Sequence, residues 1–229
     1  MNIKDSFSPE YRMIDDFLSD DELKYVLNQY DSITEDYWED EFNYIYPKEH
    51  EVDKNYWQGI IGWKGMSINL NRKCLHHYSR MRKNNIDVDF FDDISNKSKK
   101  HIQERFGFKV MREDYTLNRW RVGREQRPHI DYIESEEDND HDALNKHEMT
   151  KSYLDVFEKD FHTKHFATII YLNDDFSGGD LYFPEHNNLI IKPKPKMSIN
   201  LKGDSKNIHG VEMMTSGVRK TLSMFWTKQ

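Results

Sequence analysis

The apolar residues in the first half of the chain predict two amphipathic helices. The first follows a Ser-x-x-Glu capping box at 19–22 and continues with apolar residues three and four positions apart. We expect this helix over about 20–31, preceded by a short strand over 11–17. The second helix is predicted over about 91–106, where apolar residues again fall near one face and Gly107 can end the helix.

From residue 110 onward, short runs of β-prone residues alternate with glycine and proline. The predicted strands cover 115–122, 129–133, 166–172, 180–183, 189–191, 197–201 and 220–226. Many short strands after early helices are typical of an α+β jelly roll, in which helices pack on one of two facing sheets. We therefore expect a single domain over 1–229, with helical and aromatic-rich support over 1–109 and a β core over 110–229.

Composition and charge narrow the classes of function. The chain has 229 residues, a formal net charge of -8 and a sequence pI near 5.8. This acidic balance argues against a protein that grips nucleic-acid phosphates, because such proteins carry a basic excess. The one cysteine, Cys74, excludes an intramolecular disulfide, and no signal-like or membrane-spanning apolar stretch is present. We expect a cytoplasmic protein that binds neither nucleic acid nor membranes, and its oligomeric state stays open.

Three residues of the β core have the chemistry of a metal site. His129 and Asp131 are two residues apart, so on a strand over 129–133 both side chains would point to the same face. His209 lies eighty residues further along the chain. Two imidazoles and one carboxylate form the facial triad that leaves coordination positions open on non-haem Fe(II).

Arg219 follows His209 by ten residues and is the candidate ligand of an acid. Its guanidinium fork suits bidentate recognition of a carboxylate. On a strand in this segment, Arg219 shares a face with Thr221 and Ser223, whereas Lys220 points to the other face. A surface salt bridge is the alternative role for Arg219.

Short motifs surround these residues in a definite order. They are RWRVG at 119–123, PHID at 128–131, ATIIYLND at 167–174, GGDLYFPE at 178–185, IKPK at 191–194, SINL at 198–201, HGV at 209–211 and GVR at 217–219. Their order and spacing resemble the catalytic core of the 2-oxoglutarate- and Fe(II)-dependent dioxygenases, specifically the prolyl 4-hydroxylase-like branch. The resemblance covers nearly half of the chain.

This resemblance implies a fold, a metal and a cosubstrate. The family fold is a distorted double-stranded β-helix, which agrees with the jelly roll expected from the strand pattern. By the resemblance, His129, Asp131 and His209 bind Fe(II), and Arg219 pairs with the distal carboxylate of 2-oxoglutarate. O2 is then the second cosubstrate, and ascorbate is a candidate reductant.

The resemblance also points to residues around the cosubstrate. Thr168, Ile170 and Leu181 are expected to face it, with Ser223 and Phe225 beside Arg219. Two positions depart from the family pattern. Trp120 stands where the family usually has a tyrosine that can contact the cosubstrate, and its indole offers only an N–H donor. Gln126 replaces a second common tyrosine, three residues before His129.

Several functions are consistent with these motifs. The leading hypothesis is a prolyl 4-hydroxylase-like enzyme that hydroxylates a C–H bond of a peptide or protein and releases succinate and CO2. The alternatives are a hydroxylase of a free amino acid or other small metabolite, and a non-catalytic jelly-roll binding module. Retention of the whole triad and of Arg219 argues against the binding module. A nucleic-acid demethylase is disfavoured because those relatives carry a second arginine where this chain has Phe225.

A long insertion separates Asp131 from the next predicted strand. It covers 134–165 and begins with an acidic run. Loops of this length are uncommon unless they are functional or disordered. We interpret it as a lid-like segment over the metal, whose acidity would suit a basic peptide, and the alternative is a solvated insertion without a role in substrate binding.

Overall fold

The computed structural model describes residues 9–34, 68–71, 86–131 and 165–229. In these ranges the helices are α1 (Asp20–Asp31) and α2 (Val88–Phe106), and a short 3-10 helix covers Ser205–Asn207. The strands are β1 (Tyr11–Ile14), β2 (Ile68–Asn71), β3 (Val110–Trp120), β4 (Gln126–His129), β5 (Phe166–Tyr171), β6 (Phe176–Ser177), β7 (Leu181–Phe183), β8 (Leu189–Ile191), β9 (Ser198–Lys202), β10 (His209–Val211), β11 (Ser216–Gly217) and β12 (Arg219–Lys228).

Two regions singled out in the sequence fall mostly beyond this description. Much of the aromatic-rich N-terminal region and nearly all of the 134–165 insertion lie outside the described residues. The proposed lid therefore stays a prediction. Neither α1 nor α2 carries an apolar stretch that would suffice to cross a membrane.

The strands form two antiparallel sheets around a shared apolar core. The larger sheet has the order β1-β9-β5-β12-β3-β2, and the smaller has the order β4-β10-β7-β8, while β11 and β6 form a separate ribbon. Leu181 and Phe183 of the smaller sheet pack in one buried cluster with Ile199 and Leu201 of the larger sheet. Two antiparallel sheets that enclose one core confirm the predicted jelly roll.

The larger sheet separates this interior from a second core beneath the helices. On β12, Leu222, Met224 and Trp226 are fully buried in a cluster that includes Phe91 of α2. Each such side chain contributes roughly 2 kcal/mol through the apolar surface that it removes from water. The intervening β12 residues face the opposite way, and Phe225 packs against the interior cluster. The two described helices therefore cover the outer face of the larger sheet, as predicted.

Both helices begin at residues that cap them. At α1, the Ser19 hydroxyl accepts from the backbone N–H of Glu22 at 3.1 Å and the Glu22 carboxylate accepts from the backbone N–H of Ser19 at 2.7 Å, which confirms the predicted capping box. Helix α2 begins three residues earlier than predicted, because Asp87 caps it by accepting from the N–H of Phe90 at 3.0 Å. It ends at Gly107, whose φ of 74° is left-handed, as expected for a helix C′ residue.

Some strand bounds differ from the predictions for reasons of pairing. Strand β12 is longer than predicted because it pairs with β3 along its whole length, from Arg219 opposite Trp120 to Lys228 opposite Val110. The strand predicted over 129–133 is β4, which ends at His129. Strands β2, β6, β10 and β11 were not predicted, because each has two to four residues and depends on a distant partner.

Thr168 lies in the helix-facing layer, away from its predicted position at the cosubstrate. It pairs with Met224 of β12 and therefore shares the face of Met224 rather than that of Arg219. Its fully buried hydroxyl lies 2.8 Å from the Ser98 hydroxyl, donates to the Asn200 side-chain oxygen at 2.7 Å and accepts from the Trp226 indole at 3.0 Å. Thr168 thus joins α2, β9 and β12 through one buried hydroxyl.

The buried position of Thr168 predicts a stability defect without its hydroxyl. Thr168→Val keeps the shape of the side chain but leaves the Trp226 N–H and the Ser98 hydroxyl without this partner. Because each unsatisfied buried group costs about 1–3 kcal/mol, we expect the free energy of unfolding in urea to fall by about 2–4 kcal/mol. Thr215→Val, at an exposed position, is the control and should change it by less than about 0.5 kcal/mol. A Thr168→Val protein of unchanged stability would contradict this role.

Candidate metal centre

His129, Asp131 and His209 meet at one buried point between the sheets. Nε2 of His129 lies 3.6 Å from Oδ1 of Asp131, and Nε2 of His209 lies 3.7 Å from Oδ2 of the same carboxylate. The two imidazole rings have centroids 4.4 Å apart. The three ligand atoms, one from each residue, all lie within 4.8 Å of one another, and each residue is at most 6% exposed. This arrangement offers two imidazole nitrogens and one carboxylate oxygen to a single metal ion.

Two different local structures bring these ligands together. His129 and His209 are direct partners in the antiparallel pair of β4 and β10. Asp131 lies beyond the end of β4, so the prediction that strand alternation aligns it with His129 is wrong. Its backbone N–H instead donates to the carbonyl of Gly203 at 2.8 Å, which anchors the turn that carries it.

Gly210, which follows His209, allows the close packing of this strand. A side chain at this position would place its Cβ 2.6 Å from the ring of Tyr182 and 2.7 Å from the carbonyl oxygen of Gln126. The contact with the Gln126 carbonyl would force the β4 backbone to shift. Glycine therefore lets β10 lie between β4 and β7 with His209 directed inward.

Backbone carbonyls orient both imidazoles for metal binding. Nδ1 of His129 lies 3.0 Å from the carbonyl of Arg127, and Nδ1 of His209 lies 2.9 Å from the carbonyl of Asn207. Because a carbonyl can only accept, each Nδ1 carries the hydrogen and each Nε2 is left with a lone pair that is free to bind a metal. Such partners fix the tautomer and the orientation of metal-binding histidines.

Burial keeps the His129 ring neutral. Loss of solvent, with the neighbouring His209 as a further cause, lowers the pKa of His129 from 6.5 to about 4. The charge of Asp131 opposes this shift but does not overcome it. A neutral imidazole is the form that donates electrons to a metal.

A second group of buried polar atoms surrounds Arg219. Arg219 is 1% exposed, and its guanidinium carbon lies 5.0 Å from the ring of Trp120 and 5.1 Å from the ring of Tyr171. Nε and Nη2 of Arg219 and Nε1 of Trp120 have no hydrogen-bond partner among the described residues, whereas the Tyr171 hydroxyl interacts with the guanidinium. Unsatisfied donors around a buried cation are costly, and an acid accepting from them would remove that cost.

These atoms fit one carboxylate of 2-oxoglutarate. The guanidinium can hold a carboxylate through two parallel hydrogen bonds, and the indole and phenol add two further donors. Burial raises the pKa of the Tyr171 phenol, so it stays a donor. Arg219 is thus buried inside the β core and does not form the surface salt bridge that was its alternative. We call Arg219, Trp120 and Tyr171 the acid pocket.

Tyr171 was missed in the sequence, although it belongs to the ATIIYLND motif. The prediction placed Thr168 and Ile170 inward, but β5 has the opposite phase: Tyr171 is paired with Thr221 and shares the face of Arg219. Ile170 instead lies in the core beneath the helices. The inward face of β12 was assigned correctly from Arg219, but it could show which β5 residues face inward only if the register between β5 and β12 had been known.

The other residues predicted beside the cosubstrate occupy the interior face. Leu181 and Phe225 belong to the interior apolar cluster. Ser223 lies on the same face of β12 as Arg219, where its hydroxyl accepts from the side-chain amide of Asn118 at 2.7 Å. The same amide reaches Thr221 at 3.2 Å. Ser223 is therefore tied to a β3 residue, and its contact with a cosubstrate stays a prediction.

The lowered pKa of His129 predicts how stability depends on pH. In the metal-free protein, the unfolded chain binds this proton near pH 6.5 but the folded chain only near pH 4, so lower pH favours unfolding in this window. We expect protonation of His129 to lower the free energy of unfolding by roughly 3 kcal/mol as the pH falls to about 4. Urea denaturation with a chelator at several pH values measures it. His129→Asn should give a shallower pH dependence, and equal slopes for the two proteins would contradict the prediction.

Solved structures of prolyl hydroxylases resemble this protein. The viral collagen prolyl hydroxylase vCPH of Paramecium Bursaria Chlorella virus-1, in complex with 2-oxoglutarate, is 16% identical, with a TM-score of 0.56 over 96% of each chain. The Trichoplax adhaerens prolyl hydroxylase, in complex with a hypoxia-inducible-factor peptide fragment, is 13% identical, with a TM-score of 0.55 over 96% of this chain and 84% of that chain.

Curated relatives match a shorter segment. Human prolyl 3-hydroxylases 3 and 2 are 36% and 33% identical over 66 residues, which are 27% of this chain and 9% of each relative. No protein-family model matches the chain. The solved structures show that the chain has the double-stranded β-helix fold of the 2-oxoglutarate- and Fe(II)-dependent prolyl hydroxylases, as its motifs had indicated.

Proposed function

We propose that this protein is an Fe(II)- and 2-oxoglutarate-dependent dioxygenase that hydroxylates a C–H bond. The buried triad of His129, Asp131 and His209 carries the proposal, because both imidazoles are held with an unprotonated Nε2 within 4 Å of the carboxylate. The acid pocket supports it with a buried guanidinium that has two nitrogens without a hydrogen-bond partner among the described residues. A binding module would need neither an oriented triad nor this buried charge.

The metal and the cosubstrate supply the oxidation. Fe(II) held by the triad would supply, with 2-oxoglutarate and O2, an oxidation in which one oxygen atom enters the substrate C–H bond, the other enters succinate and CO2 is released. His129, Asp131 and His209 would hold the ion, and a set of two imidazoles and one carboxylate would leave positions for the cosubstrates. The carbonyls of Arg127 and Asn207 hold the His129 and His209 rings in place, and burial of all three ligands keeps bulk water away.

The acid pocket orients the cosubstrate from its far end. Arg219 binds the distal carboxylate through its fork, while Trp120 and Tyr171 donate from either side. The two rings also hold the guanidinium by cation–π contacts, which compensate part of its lost hydration. Because Trp120 can donate but cannot accept, it favours an ionised carboxylate over a neutral group at this position.

A peptide or protein is the proposed substrate class, with proline as the target residue. Two of the similar solved structures are a collagen prolyl hydroxylase and a prolyl hydroxylase bound to a peptide, and the curated relatives are prolyl 3-hydroxylases. The carbon of proline that is hydroxylated, C3 or C4, is left open. A free amino acid or small metabolite is the alternative outcome of the substrate test. Cytoplasmic location and use of ascorbate stay predictions from the sequence.

Turnover of 2-oxoglutarate tests the proposed activity. The Fe(II)-loaded protein should convert 2-oxoglutarate to succinate, and His129→Ala should reduce the rate to background because one of three metal ligands is lost. Proline-containing peptide pools should then gain about 16 Da in mass spectra, the mass of one oxygen atom inserted by the proposed reaction. A mass gain confined to free amino acids would favour the small-metabolite hydroxylase. Succinate formation absent from the wild-type protein with every substrate pool would contradict the proposal.

Variants of Arg219 and of its neighbour Lys220 distinguish a role in cosubstrate binding from a general effect of positive charge. Arg219→Leu should weaken 2-oxoglutarate binding about 100-fold or more, because a charged, bidentate hydrogen bond is lost. Lys220→Leu removes an exposed ion pair with Asp31 at 2.7 Å and should leave binding within about twofold. Calorimetry with the Zn(II)-loaded proteins measures both affinities without turnover. Equal affinities for the two variants would contradict the role of the acid pocket.

A further inference from the structure

Gln126 lies beside the nitrogen of His129 that would bind the metal. Its side-chain Nε2 is 2.9 Å from Nε2 of His129 and is partly buried. A neutral amide at this point is neither a member of the triad nor part of the acid pocket. Neither the triad nor the acid pocket therefore explains why Gln126 lies at this nitrogen.

The pairing of β4 with β10 explains why Gln126 and His129 meet although they are three residues apart. His209 is opposite His129, and Val211 is opposite Gln126, so a step of two residues along β10 matches a step of three residues along β4. The register shift between these pairs turns Gln126 to the same side as His129. Val211 is buried beside Trp120, which places the start of the Gln126 side chain against the inner wall of the β core.

Hydrogen-bond chemistry fixes what this contact is. Nδ1 of His129 carries the hydrogen that is donated to the Arg127 carbonyl, so Nε2 has only a lone pair. The amide of Gln126 must then present its NH2 group, because its oxygen would face that lone pair with nothing to donate. Gln126 thus donates to the same electron pair that a metal ion would take.

His209 provides an internal comparison. Its Nδ1 is held by the Asn207 carbonyl in the same way as Nδ1 of His129 is held by Arg127. Its Nε2 faces the carboxylate of Asp131 at 3.7 Å. The triad is therefore asymmetric: Nε2 of His129 is engaged by a neutral donor, whereas Nε2 of His209 faces only the carboxylate among the contacts described.

We propose that Gln126 is a positioning residue that competes with a metal ion for the lone pair on Nε2 of His129. Its amide satisfies the lone pair of a buried imidazole by hydrogen bonding. An ion that binds this nitrogen must break the hydrogen bond, so Gln126 lowers metal affinity. This inference rests on the metal-binding part of the proposed function.

Metal affinity tests the inference directly. The full chain, stripped of metal, is titrated with Zn(II) or Co(II) against a chromophoric chelator, which requires no turnover. Gln126→Leu keeps the volume of the side chain but cannot donate, and we expect it to bind either ion about three- to tenfold more tightly than the wild type. A residue needed only to support the fold would give the opposite sign. Unchanged or weaker binding by Gln126→Leu overturns the inference.

Further variants keep this experiment decisive. Gln126→Asn shortens the reach of the amide by one methylene and should also tighten binding, so the inference is tested even if the leucine variant folds poorly. Gln229→Leu makes the same chemical change at an exposed position and should leave affinity unchanged. His129→Ala should weaken metal binding strongly in both the wild-type and the Gln126→Leu background. A wild-type protein without metal affinity at the triad would overturn the metal site itself, whereas failure of the Gln126 variants alone overturns only the role of Gln126.

Discussion

The pairing of β12 with a neighbour on each side is the constraint on which the site depends. Hydrogen bonds to β3 and β5 fix its register twice, with Arg219 opposite Trp120 and Thr221 opposite Tyr171. A slip of one residue in either pair would exchange the faces of the strand. It would turn Arg219 toward the helices and direct Leu222 into the interior. The acid pocket is therefore a consequence of strand register, and the apolar core beneath the helices secures that register.

The polar interior is balanced by the apolar layers around it. A buried guanidinium with unsatisfied nitrogens and two buried imidazoles beside a carboxylate cost stability when no ligand is bound. The fully buried side chains of Trp226, Phe91 and Phe166 lie on the other side of the same sheet and supply compensating burial. Ligands that satisfy the interior groups would bind only the folded state and so stabilise it. The unsatisfied polar groups thus lie where a bound ligand would satisfy them.

Sequence patterns predicted the features that depend on local chemistry. The capping box at Ser19, the glycine end of α2 at Gly107 and the candidate triad all follow from residue type and spacing, and the structure brings the triad together. The phase of β5 was not predictable, because Thr168, Ile170 and Tyr171 all suit either face of a buried strand. Pairing with β12 decides which of them faces Arg219, and such pairing joins residues about fifty positions apart. The short strand β10, which contains Gly210, was not predicted for the same reason, because it packs against Tyr182 of a distant strand.

Asn207 connects the metal centre to the edge of the larger sheet. Its carbonyl orients His209, while its fully buried side-chain oxygen accepts from the backbone N–H of Glu10 at 2.6 Å, next to β1. Strand β1 pairs only with β9 among the described strands, and edge strands of this kind open more readily than central ones. Opening of β1 would remove one hydrogen bond that holds Asn207, whose carbonyl orients His209. Metal binding would thereby be coupled to β1, so that an occupied metal site would slow hydrogen exchange at this strand, which supplies no ligand.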